Sequence, residues 1–159
     1  MSEYAERADT APRSQDVAGV VTVLLLDDHP AVLASVKEAV EADGTLTLVG
    51  TAGRIADAIG VAVATQPRVA VIDVNMPDGG GWAAARGLRE VCPDIRLVAF
   101  SAFDEPLVTR TMAAAGVSAF VSKDCDIEVL LAAIRGENVQ SSPSEPAPLM
   151  PRMTVAAPN

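Results

Sequence analysis

The sequence predicts an α/β fold in which five parallel strands form one sheet with helices on both faces. Five short apolar runs alternate with segments whose apolar residues recur at helical spacing. This alternation is typical of buried parallel strands that are joined by helices. The predicted strands are Val20–Leu26, Leu46–Thr51, Val69–Ile72, Ile95–Phe100 and Ala119–Ser122.

The first two helices flank the second strand. Pro30 suits the first turn of a helix, where its missing N–H costs nothing, and Gly44 ends that helix. Pro67 follows the end of the second helix. The apolar residues at helical spacing in these two segments are Leu33, Val36, Val40, Ile55, Ala58, Ile59, Ala62 and Val63.

Three further helices follow the third, fourth and fifth strands. Gly79–Gly81 is predicted as a loop before the third helix, which stops before Pro93. Asp104 is the expected N-cap of the fourth helix, Gly116 ends it, and Asp126 caps the fifth. Their apolar residues are Ala84, Leu88, Val91, Cys92, Leu107, Val108, Met112, Ala115, Ile127, Leu130, Leu131 and Ile134, with Thr111 on the same stripe of the fourth helix.

Right-handed crossovers and one reversal of winding give the flavodoxin-like, doubly wound strand order 2-1-3-4-5. The ligand crevice of such a sheet lies at the carboxyl ends of the strands, between strands one and three. We expect a flexible leader over residues 1–19, the folded domain over 20–136, and a Pro- and Ser-rich linker or tail over 137–159.

Composition limits the partners and the location of this chain. Its 159 residues carry a formal charge of −9, which argues against direct binding to nucleic acid or to an anionic membrane. No apolar stretch reaches the length of a membrane span, and the N-terminus lacks a secretory signal pattern. Cys92 and Cys125 lack the spacing of a metal site and are expected to be reduced thiols, so we predict a cytoplasmic protein.

Polar residues end four of the five strands. Asp27 and Asp28 follow the first, Asp73 the third, Ser101 the fourth and Lys123 the fifth. Because these ends share one edge, the three carboxylates should lie close together, where a divalent cation such as Mg²⁺ would offset their repulsion. Asp73 is the best nucleophile for a phosphoryl group, which Lys123 and Ser101 would contact, and Lys123 would pair with Asp73 at rest.

Four segments of this sequence resemble the receiver domain of bacterial two-component response regulators, across nearly all of residues 20–135. The segments are Leu24–Pro30, Val71–Pro77, Val98–Ala102 and Ala115–Lys123. The Asp28-His29-Pro30 start and the Lys123-Asp124 ending are most similar to the branch that carries a C-terminal helix-turn-helix for DNA, typified by NarL and FixJ.

The resemblance implies a role for each residue of the acidic site. Asp73 would accept phosphate from a sensor histidine kinase. Asp28, Asp73 and the backbone carbonyl of Asn75 would hold Mg²⁺, with Asp27 assisting directly or through water. Lys123 would contact the phosphate. The chain would be a phosphoacceptor that takes part in its own phosphorylation and dephosphorylation, and not an enzyme acting on a small molecule.

The resemblance also implies a switch and an output. Ser101 and Phe120 match the hydroxyl and aromatic switch pair, whose movement would reshape the face of helix 4, strand 5 and helix 5. That face, or helices 1 and 5, would support a homodimer. Asn75 would tune dephosphorylation, and we predict that Phe103, two residues after Ser101, does so too by impeding water. Transcription would be regulated through an output domain that is not present in this chain.

Two other functions remain open from the sequence. An aspartyl-nucleophile phosphohydrolase would carry a second acid two residues after Asp73, but that position is Asn75. A binding module of the same fold that works without phosphorylation is the other alternative. His29 is expected to have a turn or packing role, with proton transfer as the less favoured alternative.

Overall fold

Five strands alternate with five helices in the computed structural model, which describes residues 19–102 and 105–137. The strands are β1 (Val21–Leu26), β2 (Leu46–Ala52), β3 (Val69–Asp73), β4 (Arg96–Ser101) and β5 (Ala119–Ser122). The helices are α1 (Pro30–Ala42), α2 (Ile55–Thr65), α3 (Gly80–Val91), α4 (Pro106–Ala114) and α5 (Ile127–Arg135). The sheet is parallel throughout, in the order β2-β1-β3-β4-β5, so the predicted fold class and strand order are confirmed.

Alternate side chains of the strands supply two separate cores, one on each face of the sheet. Leu24 and Leu26 of β1 point into a core that α2 and α3 cover. Val23 and Leu25 point into the opposite core, which α1 and α5 cover. Both cores consist mainly of Val, Leu, Ile and Ala, because every central strand is buried on both faces and has no room for polar side chains.

The glycine-rich segment differs from the predicted loop. Only Gly79 precedes α3, as its N-cap with φ 120°, whereas Gly80 and Gly81 form the first helical turn. A Cβ on Gly81 would lie 2.9 Å from the carbonyl oxygen of Asp73 and 3.0 Å from Cε of Met112. A glycine is therefore required where α3 begins against the end of β3.

Helix α4 also differs from its prediction at both its start and its buried face. Its N-cap is Glu105, not Asp104, which lies outside the described residues. Leu107 is 74% exposed and Thr111, four residues later on the same line of the helix, is exposed as well. The line that packs inward runs through Val108 and Met112 to Ala115, so the apolar stripe is narrower than its sequence spacing predicted.

Two apolar residues of other helices are also outside the core. Val63 on α2 is 58% exposed, and Ile127 at the start of α5 is 38% exposed. Both lie at the edge of a helical stripe whose central members are buried, such as Ala62 and Leu130. Burial is therefore set by the neighbouring helices and strands as well as by the period of the stripe.

The register of the sheet brings the carboxyl ends of its strands to one edge. Leu26 pairs with Ile72, Asp73 with Phe100, and Ser101 with Ser122. The residues that end β3 and β4, and those that follow β1 and β5, therefore meet along that edge.

Candidate functional site

Asp27 divides its two carboxylate oxygens between two partners. Its side chain is only 6% exposed. Oδ1 accepts a 2.9 Å hydrogen bond from the backbone N–H of His29, and Oδ2 accepts a 2.8 Å bond from Nζ of Lys123. Asp28, the next residue, is 35% exposed at its side chain and lies at the mouth of the site. The two adjacent acids thus occupy a buried and an outer position.

Asp73 is the most deeply buried acid of the site, with a side chain that is 1% exposed. Its Oδ1 accepts a 3.0 Å hydrogen bond from the backbone N–H of Asn75. Its Oδ2 lies 3.5 Å from Nζ of Lys123, a separation too long for a good hydrogen bond, and has no hydrogen-bond partner among the described residues. Burial raises the pKa of the Asp73 carboxyl above its ordinary value of 3.8, and the charge of Asp27 raises it further against the opposing effects of Asn75 and Lys123.

Lys123 reaches this cluster from the end of β5. Its backbone N–H donates a 2.7 Å hydrogen bond to the carbonyl oxygen of Ser101, which fixes the chain at the edge of the sheet. Its side chain is 16% exposed, and Nζ lies 5.6 Å from the centre of the Phe100 ring. The predicted ion pair of Lys123 with Asp73 is present, at 3.5 Å, and a second and shorter ion pair of 2.8 Å joins Lys123 to Asp27.

His29 lies in the turn between β1 and α1, as expected, and its ring also belongs to the acidic cluster. Its Nδ1 lies 3.1 Å from an oxygen of Asp27, 3.0 Å from an oxygen of Asp28 and 3.9 Å from Oδ2 of Asp73. The side chain is 63% exposed, so it covers the acids from the solvent side. The signal in the sequence was its position directly after two acids at a strand end, where a tight turn brings residue i+2 back to residue i.

Three of the remaining predicted residues lie in β4, in β5 and in the turn after β3. Ser101 ends β4 and is buried, and the half-buried Phe120 lies in β5, where it pairs with Ala99 of β4. Asn75 is exposed in the turn after β3. Phe103 lies outside the described residues, so its expected effect on water remains a prediction.

The donor set fits a small divalent cation. Asp27, Asp28, His29 and Asp73 each offer one donor atom, and these four atoms lie within 4.8 Å of one another. The buried Oδ2 of Asp73 faces this group without a hydrogen bond from the described part of the chain. Three carboxylates beside one lysine leave an excess of negative charge, which Mg²⁺ with its preference for oxygen ligands would offset.

Comparison with known proteins gives the family. Residues 23–135 match the response regulator receiver domain. The chain belongs to the receiver domain family of response regulators. It is 37% identical over 107 residues to the DNA-binding transcriptional activator DevR/DosR of Mycobacterium tuberculosis, covering 66% of this chain and 48% of that protein. It is 32% identical over 129 residues to the nitrate/nitrite response regulator NarL of Escherichia coli, covering 79% and 60%.

Solved structures agree with this assignment. The signal receiver domain of the putative response regulator NarL from Mycobacterium tuberculosis superposes with a TM-score of 0.67 at 30% identity, covering 74% of this chain and 98% of that domain. The resemblance to NarL-type response regulators is therefore confirmed. The chain spans about half the length of the curated relatives that it matches.

Proposed function

We propose that this receiver domain is a phosphorylation-controlled switch whose phosphoacceptor is Asp73. The observation that carries the proposal is the buried Asp73 carboxylate, which has one oxygen held by the Asn75 N–H and the other facing two acids and Lys123 without a hydrogen bond from the described residues. A sensor histidine kinase is the proposed donor. This partner follows from the family, because response regulators of two-component systems are phosphorylated by such kinases.

The proposed step is the transfer of one phosphoryl group. An oxygen of the Asp73 carboxylate attacks the phosphorus of a phosphohistidine, a P–O bond forms, the P–N bond breaks, and the imidazole leaves with the electron pair. Water later cleaves the acyl phosphate to inorganic phosphate and restores the carboxylate. Lys123, which is 3.5 Å from the acceptor oxygen, would neutralise charge on the phosphoryl oxygens.

Mg²⁺ is the proposed cofactor. Asp28, Asp73 and the backbone carbonyl of Asn75 would hold it, with Asp27 assisting directly or through water. When bound, it would offset the charge of the carboxylates and of the incoming phosphoryl group. Asn75 lies in the turn beside the acceptor, a position from which it would also tune dephosphorylation.

The proposed output runs through β4 and β5. Ser101 ends β4, its carbonyl oxygen binds the Lys123 N–H, and Phe120 lies two residues before the end of β5. A shift of Ser101 toward a phosphoryl group would therefore act on the strand that carries Phe120. The face of α4, β5 and α5 would change shape, and this face, or α1 with α5, would support a homodimer.

Transcription regulation through a separate output domain completes the proposal. Relatives of this chain are named as transcription regulators, and they extend well beyond the matched part. The net charge of −9 does not suit direct DNA binding by the receiver itself. No helix in the described ranges is long and apolar enough to cross a membrane. A cytoplasmic location suits this proposal, as do the domain limits 1–19, 20–136 and 137–159.

Beryllofluoride, a phosphoryl mimic, tests the proposal without a kinase. With Mg²⁺ present, ¹⁹F NMR should detect bound beryllofluoride in the wild type. Asp73→Asn should abolish the bound signal, while Asp94→Asn, an exposed acid before β4 at the opposite edge of the sheet, should retain it. A wild type that binds neither Mg²⁺ nor beryllofluoride would instead favour a binding module that works without phosphorylation.

A further inference from the structure

We propose that the His29 imidazole is an additional metal ligand, which gives this site a selective affinity for divalent transition ions over Mg²⁺. The inference rests on the proposed metal-binding function of the acidic cluster. The imidazole adds a nitrogen donor to a set of oxygen donors and so changes the class of cation that the site binds most tightly.

The distances around the ring nitrogen suit ligation. His29 Nδ1 lies 3.1 Å from Oδ1 of Asp27 and 3.0 Å from Oδ1 of Asp28. In an octahedral site with metal–ligand bonds of about 2.1 Å, adjacent donor atoms are separated by about 3.0 Å. The imidazole nitrogen is therefore separated from each of the two acids as adjacent ligands of one ion are.

An independent observation points to the same occupant. Oδ2 of Asp73 belongs to a side chain that is 99% buried in the site and has no hydrogen-bond partner among the described residues, although His29 Nδ1 is only 3.9 Å away. A neutral imidazole can direct one N–H at most, and here the same nitrogen faces three carboxylates. A hydrogen bond satisfies one of these acids, whereas a cation bound by Nδ1 and the carboxylates satisfies them together.

The backbone holds the imidazole in place. His29 is the N-cap of α1, and its N–H bonds to the same Asp27 oxygen that its Nδ1 approaches. The ring therefore already lies beside a carboxylate oxygen that would share the ion. The other edge of the ring is on the solvent side, since the side chain is 63% exposed, so water can accept a hydrogen bond from Nε2.

The mixed donor set determines the class of metal. Carboxylate oxygens alone suit Mg²⁺, whereas imidazole nitrogen favours later first-row ions such as Co²⁺, Ni²⁺ and Zn²⁺. A site made of oxygen ligands alone would also bind Co²⁺ more tightly than Mg²⁺, so tighter Co²⁺ binding by the wild type does not identify the imidazole as a ligand. The informative quantity is the change that removal of the imidazole causes for each ion.

The test uses the chain without an affinity tag, because His29 is its single histidine. Wild type and His29→Ala are titrated with Co²⁺ and with Mg²⁺ by calorimetry, and the Co²⁺ complexes are examined by proton NMR. His29→Asn, which places a favourable N-cap residue at the start of α1, controls for the fold. Cys125→Ser controls for binding of Co²⁺ at the exposed thiol.

We expect both His29 variants to bind Co²⁺ at least about tenfold more weakly and Mg²⁺ within about threefold of the wild type. Hyperfine-shifted imidazole protons should appear in wild type and in Cys125→Ser and disappear in both His29 variants. Equal Co²⁺ affinity in His29→Ala and wild type, without shifted imidazole protons, would overturn the inference. The proposed function would survive that result if Mg²⁺ still bound in an Asp73-dependent way, whereas a wild type that bound neither ion would overturn both.

Discussion

Replacing Asp73 by Asn should stabilise the metal-free domain, because the carboxylate is buried beside two other acids. The oxygens of Asp27 and Asp28 lie within 4.8 Å of the Asp73 donor atom, and Lys123 Nζ is 3.5 Å from it. At an effective dielectric of 20, each acid repels Asp73 by about 3.5 kcal/mol and Lys123 attracts it by about 4.7 kcal/mol. The balance favours removal of the charge by about 2 kcal/mol, before the relief of desolvation is counted.

Urea unfolding at pH 7 in EDTA measures this difference. Asp73→Asn should increase the free energy of unfolding by about 2 kcal/mol, since the amide keeps the oxygen that accepts the Asn75 N–H and removes only the charge. Mg²⁺ at about 100 times its Kd should stabilise the wild type by about 2.7 kcal/mol and leave the variant nearly unchanged. The gap between the two proteins should therefore close in Mg²⁺.

The control is Asp94→Asn, which removes an exposed acid at the opposite edge of the sheet and should change stability by less than about 0.5 kcal/mol. A variant Asp73→Asn that is less stable than the wild type in EDTA would refute the reasoning. So would an equal response of both proteins to Mg²⁺, because the cation would then bind elsewhere.

Three further predictions concern the same edge of the sheet. Burial raises the pKa of the Asp73 carboxyl, so in EDTA the stability that its protonated form contributes should be complete below pH 3.8 and be lost as pH rises through the folded-state pKa. The excess in the free energy of unfolding of Asp73→Asn over the wild type, measured in urea, should therefore grow over that range. An excess that is constant with pH would show that the carboxyl is not perturbed. Lys123→Met should lower the free energy of unfolding by about 3 kcal/mol, because it leaves two buried carboxylates without their cation. The loss should be smaller in an Asp73→Asn background, and an equal loss in both backgrounds would show that Lys123 and Asp73 do not interact. Gly81→Ala should lower the free energy of unfolding by about 1–3 kcal/mol in thermal or urea unfolding, because its Cβ meets the Asp73 backbone. The control is Gly60→Ala on α2, whose Cβ has no atom within 4 Å and which should raise the free energy of unfolding by about 0.5–1 kcal/mol. A neutral Gly81→Ala would contradict the close approach of α3 to β3.

The fold was predictable because its signals are periodic and mutually consistent. Each strand is an apolar run too short for a helix, and the helices between them fix parallel pairing and one strand order. The misses were local. Leu107 continues an apolar stripe in sequence yet is exposed, because exposure depends on which neighbours α4 meets. The sequence predicts a loop over the glycine segment, whereas Gly80 and Gly81 begin α3 where a larger residue would collide with β3.

The site was predictable as a set of strand ends, and so was the ion pair of Lys123 with Asp73, but the shorter pair with Asp27 was not. Chain order places Asp27, Asp28, Asp73 and Lys123 at one edge through topology alone. Lys123 Nζ lies near an oxygen of each acid, and a difference of less than 1 Å makes the ion pair with Asp27 the shorter one. The place of His29 depends on the turn after β1, which folds its ring back over the acids.

The measurement that tests the central claim most directly is the intact mass after incubation with acetyl phosphate and Mg²⁺. Wild type and Asp94→Asn should each gain one phosphoryl group, and Asp73→Asn should gain none. A gain that persists in Asp73→Asn would show that another residue is the acceptor. The absence of any gain in the wild type would contradict the account of this acidic site as a phosphoryl acceptor.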